Sequence, residues 1–151
     1  MATRGDLPGL AIRRAATADC AAFARLIGQL GYTATEAEVA ERLAVMTLEG
    51  RLVLVAELDG EVVGCLSTSV MRVLHRPAPV GRISMMVVDA AVRGRGIGAQ
   101  LVRAAEEALV AGGCQLVEVT SHVARTEAHR FYEQLGYERT SVRLAREPGR
   151  R

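Results

Sequence analysis

The sequence predicts an α+β domain built on one mixed, mostly antiparallel sheet flanked by helices. Short runs rich in Val, Ile and Leu, bounded by turn residues, read as strands. Apolar residues recurring at helical spacing, with capping and stop signals at their ends, read as helices. The order of these elements is strand, two helices, three strands, helix, strand, helix, and a final strand or hairpin. The 151 residues amount to a single domain, 1–151, with about 10–147 as its ordered core.

Leu10 to Arg14 is a short first strand. Thr17 then caps a helix whose Ala-rich face carries Phe23, Leu26, Ile27 and Leu30, stopped by Gly31. Thr35 with Glu38 three positions on is a capping-box pattern that opens a second helix through Val39, Leu43 and Val45. Arg51 to Leu58 is a strand, Asp59-Gly60 fits a two-residue hairpin turn, and Glu61 to Val70 returns antiparallel. Met71 to Pro79, with two prolines, is a loop, and Val80 to Val88 is an apolar strand expected centrally with both faces covered. A helix from about Gly96 to Ala111 presents Ile97, Leu101, Val102, Ala105 and Leu109 on one side and ends at Gly112-Gly113. Cys114 to Ser121 is a strand, Thr126 to Leu135 a helix ending at Gly136, and Tyr137 onward the final strand; the Pro148–Arg151 tail is expected to fray.

Composition narrows the chemistry. Half of the residues are apolar and a quarter are charged, which is the opposite of a disordered composition. No apolar run approaches the roughly 18 residues that span a bilayer, and Met-Ala-Thr-Arg-Gly-Asp holds no apolar signal core, so the expectation is a soluble cytoplasmic protein without a membrane partner. All 19 basic residues are Arg, which removes a P-loop lysine, Schiff-base chemistry and a lysine base. A net charge of +2 with few aromatics argues against nucleic acid. Cys20, Cys65 and Cys114 are an odd number at wide spacing, neither a disulfide framework nor a metal motif, and read as small buried hydrophobes. No metal site is expected.

The chemical signal lies in Val88-Asp-Ala-Ala-Val-Arg93-Gly94-Arg95-Gly96-Ile97-Gly98-Ala99, which joins a buried strand to a helix N-terminus. Free N–H groups and the positive end of the helix dipole make such a turn an anion site. Glycines let a phosphate approach the backbone, and Arg93 and Arg95 add charge-assisted donors. The plainer alternative is a surface turn with solvated arginines. Gly94 to Ala99 also satisfies the G-x-G-x-x-A dinucleotide fingerprint, with Glu118 about 20 residues beyond Gly98. Five residues, Asp89 to Arg93, intervene between strand and first glycine, and 33 residues follow Glu118, too few for the rest of a doubly wound sheet.

Arg93-x-x-Gly96-x-Gly98 after Val88 resembles the acyl-CoA loop of the GCN5-related N-acetyltransferase (GNAT) superfamily, whose pattern is Arg/Gln-x-x-Gly-x-Gly/Ala. Ala128-His-Arg-Phe-Tyr-Glu-Gln-Leu-Gly-Tyr137 is similar to that family's C-terminal signature. The element order matches as well, over roughly Leu10 to Glu147.

The resemblance implies an acetyl-CoA-dependent N-acetyltransferase that moves an acetyl group to a primary amine by direct attack. The backbone of Met86, Val87 and Val88 would pair with the pantetheine arm like an added strand, where the central strands splay at a bulge. Arg93, Gly94, Arg95, Gly96, Ile97, Gly98 and Ala99 would cradle the pyrophosphate. Ser121 and His122 stand where the family often places an Asn on the pantetheine arm, and this chain has no Asn. Tyr132 matches the tyrosine often assigned as general acid to the CoA sulfur; its plainer role is packing beside Phe131 and Leu135. Many relatives carry a Glu base a few residues before Val88, where this chain has Ser84; Glu57, Glu118, His75 or a water relay are the substitutes. His129 reads as a packing or surface residue. The acceptor, a small-molecule or peptide amine, would enter between the first two helices, about Thr17 to Glu49, with Tyr32 as a candidate wall. A homodimer is common in the family. A non-catalytic acyl-CoA-binding module and a dinucleotide-binding oxidoreductase fragment are the alternatives.

Overall fold

A computed structural model of the chain describes residues 7–150. Strand β1 (Leu10–Arg14) leads through a 3-10 turn (Thr17–Asp19) into α1 (Cys20–Leu30), which is followed by α2 (Glu36–Leu48). Strands β2 (Val53–Leu58), β3 (Glu61–Met71) and β4 (Val80–Val88) come next, then α3 (Ile97–Ala111), β5 (Leu116–Val119) and α4 (Thr126–Gln134). The five strands form one sheet in the order β1-β2-β3-β4-β5. The first four pair antiparallel, and β5 joins beyond β4 after the α3 crossover, the connection that a parallel pairing requires.

Side-chain alternation sorts the sheet's two faces. A Cβ on Gly81 would meet Leu109 of α3 at 2.9 Å, so this face of β4 takes the helix at close range and has no room for a larger residue. Leu101, Val102, Ala105 and Leu109 of α3 are buried there, matching the stripe expected from sequence. On the opposite face Val53, Val55, Cys65 and Val87 form one core with Cys20, Phe23 and Leu26 of α1 and Val39 of α2. All three cysteines are buried and free, and burial pushes the Cys65 thiol up to about 12.

Two bulges interrupt the ladders. Val63 is the extra residue of β3 opposite Ala56 and Glu57. Ser84 is the extra residue of β4 opposite Ser67 and Thr68, which puts Ser84 and Met85 consecutively on the α1 side. Strand β4 is therefore covered only in part: Ile83 and Val87 are buried while Ser84 is exposed, against the expectation of two covered faces.

The capping box at Thr35 and Glu38 forms as predicted. Thr17 does not cap α1. Asp19 accepts the Ala16 N–H at 2.7 Å and both Arg13 Nη atoms at 2.8 and 2.9 Å, and this grip tightens the entry into a 3-10 turn. Strand β5 starts after Cys114, whose N–H is spent on Leu109 O at the end of α3, and it ends at Val119, short of the expected Ser121. No strand forms after Tyr137 among the described residues. A strand needs a neighbouring backbone, and the two apolar residues that could anchor this one, Val142 and Leu144, stand exposed.

The chain divides into a larger unit running to Glu118 and a smaller one from Val119. Among the described residues no helix is long and apolar enough to cross a membrane.

Candidate active site

In the larger unit the candidate donor site is the end of β4 and the turn after it. Val88, Val87 and Met86 pair with Gly64, Cys65 and Leu66 on the β3 side. On the other side the Arg82–Glu118 ion pair, at 2.6 Å, holds β5 against the first half of β4. Strand β5 has four residues against nine in β4, so Met86 to Val88 run past its end. Their outer edge is where an extended chain could add.

Gly94 and Gly96 take φ of +81° and +84°, values only glycine adopts without strain, and they turn the chain into α3. Gly96 sits at the helix N-cap and has no side chain to cover the first-turn N–H groups at Ile97, Gly98 and Ala99. Ile97 is buried and anchors the turn, while Arg93, Gly94 and Arg95 are exposed. The Arg93 Nε donates to Val88 O at 3.0 Å, folding the side chain back over the strand end with its Nη atoms left for a ligand. The segment from Arg93 to Ala99 thus forms a glycine turn that leads into a helix N-terminus without a side-chain cap.

A network invisible to sequence reasoning holds the start of this turn. Asp89 Oδ2 accepts from Arg25 Nη1 at 2.6 Å, and Gln29 donates to Asp89 Oδ1 and accepts the Ala90 N–H. Asp89 Oδ1 also takes the Ala91 N–H. These bonds and the arginine keep the Asp89 carboxyl below the usual carboxylate range, the Ala91 hydrogen bond contributing most. Arg25 and Gln29 lie four apart on α1, 60 to 64 residues from Asp89 and Ala90, and no local pattern marks them.

The candidate bases fare differently. At the β4 bulge Ser84 and the buried Ser67 share a hydrogen bond of 2.8 Å between hydroxyls. Glu118 receives Arg82 Nε at 2.8 Å, and Glu57 receives Arg13 Nε at 2.7 Å. Both carboxylates offered as substitute bases are thus engaged by arginines. His75 stands in the exposed β3–β4 connection, and Tyr32 is 65% exposed after α1.

In the smaller unit Ser121, His129, Tyr132 and Tyr137 line one shallow cleft. Tyr132 is buried and packs edge-on to Phe131 and Tyr137, with ring centroids at 5.0 and 5.6 Å. Burial raises its hydroxyl to about 12, so it keeps its proton at any physiological pH. His122 is turned onto its own loop: its Nδ1 accepts the Ala124 N–H, which leaves the remaining proton of the neutral ring on Nε2. His129 Nε2 lies 3.0 Å from His122 O and ties that loop to α4, a role its position in the signature did not disclose.

Residues 21–137 match the profile of the acetyltransferase (GNAT) family. The aminoalkylphosphonate N-acetyltransferase of Salmonella typhimurium is 33% identical over 145 residues, spanning 93% of this chain and 92% of that protein. An aminoglycoside N(6')-acetyltransferase type 1 of Stenotrophomonas maltophilia is 30% identical, over 85% and 86% of the two chains. Among solved structures, a transcriptional regulator from Bacillus halodurans superposes with a TM-score of 0.83 at 26% identity, over 91% of this chain and 99% of that one. The fold, the glycine turn and these likenesses define an acetyl-transferring enzyme. The chain belongs to the GNAT acetyltransferase family, whose members of this kind move an acetyl group to an amine nitrogen.

Proposed function

We propose that the donor is acetyl-CoA, bound along the end of β4 and over the glycine turn, and that the acceptor amine attacks the thioester directly. The observation that carries this proposal is the uncapped N-terminus of α3 behind two positive-φ glycines, beside a strand end that outruns its neighbour. The first-turn N–H groups and Arg95 take the pyrophosphate, Arg93 contributes its outer guanidinium nitrogens, and the backbone of Met86 to Val88 takes the pantetheine arm. Ser121 and the Nε2–H of His122 are the further donors proposed for the pantetheine arm.

Tyr132, which matches the tyrosine often assigned as general acid in the family, supplies a hydrogen bond to the departing sulfur. Full proton transfer from a hydroxyl near 12 to a thiolate near 8.5 is uphill by roughly 4–5 kcal/mol, so Tyr132 acts as a hydrogen-bond donor to developing charge. With Glu57 and Glu118 engaged by arginines, the ammonium proton leaves to solvent through water at the Ser67–Ser84 pair, or the amine arrives as its free base. The protein works in the cytoplasm as a single domain. Acceptors range over small amines of the kinds named for the two relatives, aminoalkylphosphonates before aminoglycosides, because the former likeness covers more of the chain at higher identity.

Thiol release from acetyl-CoA, scored across aminoalkylphosphonates, aminoglycosides, polyamines, amino acids and peptide N-termini, tests the whole proposal. Acceptor-dependent release with an aminoalkylphosphonate is the expected result. Tight acetyl-CoA binding with no release for any amine would leave a binding module instead.

A further inference from the structure

We infer that Arg25 and Gln29 of α1 are positioning residues for acetyl-CoA, acting through Asp89 to hold the glycine turn in its binding shape. The inference rests on the proposed donor site. The β3 bulge at Val63 leaves two successive carbonyls at the end of the β3–β4 ladder. The Asp89 N–H donates to Val63 O at 2.7 Å, and Arg25 Nη2 donates to Val62 O at 2.9 Å. The same guanidinium grips Asp89 Oδ2 at 2.6 Å through Nη1, so one side chain spans the bulge and the first residue of the turn. Gln29 then bonds Asp89 Oδ1 at 3.3 Å and the Ala90 N–H at 2.9 Å.

Residues 89–91 are in this way fastened from α1, while Gly94 and Gly96 in the same turn carry the backbone freedom of glycine. A turn that must present several N–H groups to a diphosphate loses affinity when its starting point is loose, because ordering it then falls on the binding step. The Arg25–Asp89 pair is half-open to water, at 48% and 18% side-chain exposure, and an ion pair this exposed adds little to global stability. Its consequence is local. The clamp also makes α1, a helix of the expected acceptor side, the support of the donor turn.

The test compares wild type, Arg25→Gln, Arg25→Lys and Gln29→Ala by acetyl-CoA calorimetry, hydrogen exchange of the 90–98 amides, and steady-state kinetics in both substrates. Arg25→Gln should raise the acetyl-CoA Kd and KM about tenfold, the loss of a charge-assisted hydrogen-bond pair, with kcat and acceptor KM within twofold. Exchange should quicken at 90–98 and nowhere else, and Arg25→Lys, which restores one of the two contacts, should recover part of the affinity. An unchanged Kd with unchanged exchange in Arg25→Gln overturns the clamp, as does exchange that quickens through the whole chain. A wild type that binds no acetyl-CoA overturns the donor site and the clamp together, whereas normal wild-type binding matched by Arg25→Gln overturns the clamp alone.

Discussion

Ser67 and Ser84 face each other across the β4 bulge with their hydroxyl oxygens 2.8 Å apart. Ser84 is the inserted residue of that bulge and is exposed, while Ser67 is buried beneath it. Where many relatives are expected to hold a carboxylate, this protein has two neutral hydroxyls that can hydrogen-bond to water but cannot serve as a base.

The pH dependence of turnover should therefore follow the acceptor and not the enzyme. The rate limb of kcat/KM is expected to rise tenfold per pH unit up to the pKa of the amine used, and to shift when an amine of different basicity replaces it. Ser84→Ala should cost less than about tenfold in kcat/KM, the effect of losing one neutral hydrogen bond. A limb fixed at one pH for amines of different pKa would identify an enzyme base after all.

Tyr132→Phe should lower kcat by about 10²-fold, the lower end of general-acid contributions, with acetyl-CoA affinity nearly unchanged. The ring and its edge contacts with Phe131 and Tyr137 survive the change. Because burial raises this hydroxyl to about 12, wild-type activity should not fall on its account between pH 8 and about 10, where an ordinary tyrosine would begin to ionise. Single-turnover rates read the chemical step directly, and an unchanged rate in the Phe variant would return Tyr132 to packing.

Arg93→Ala should weaken acetyl-CoA binding by about tenfold, since it removes both the outer donors and the Nε bond that closes the turn on Val88 O. The side chain is exposed, so the apo Tm should move by no more than about 2 °C. A larger loss of Tm without loss of binding would make the residue structural. Gly98→Val should be more damaging to binding, because a branched side chain crowds the helix start proposed to take the diphosphate.

Acid stability should depend on Asp19. Its carboxyl is held below the usual carboxylate range, first by the Arg13 hydrogen bonds and, with less weight, by the Ala16 N–H. A depressed folded-state pKa stabilises above the unfolded value near 4, and that contribution is lost as pH falls through the folded value. Asp19→Asn should cost about 1.5 kcal/mol at pH 7, or roughly 3–6 °C in Tm, a figure kept small because Arg13 remains open to solvent. The gap between wild type and variant should narrow below about pH 4. A gap constant from pH 7 to pH 2.5 would show that charge has no part in it.

Local patterns were read well where the backbone alone decides. The Thr35–Glu38 capping box, the Asp59-Gly60 turn, the limits of β4 and the α3 stripe all depend on residues within a few positions of one another. The strand expected after Tyr137 failed for the opposite reason. Alternation at Val142 and Leu144 states a preference, but a strand exists only when a second backbone lies alongside, and none is supplied there among the described residues.

By itself the sequence determined the α+β class, the order of nearly all elements, the glycine turn with its two arginines, and the tyrosine of the C-terminal signature. The class, the element order and the glycine turn rest on short-range spacing or on backbone geometries that only glycine takes without strain, and the tyrosine rests on the resemblance to the family's signature. Only the tertiary structure decided that Ser84 is a bulge residue bonded to Ser67, that Glu57 and Glu118 are held by Arg13 and Arg82, and that Arg25 reaches Asp89. Those contacts join residues 17 to 64 positions apart. Strand register and helix packing set them, and a one-residue shift in either would have given each side chain a different partner.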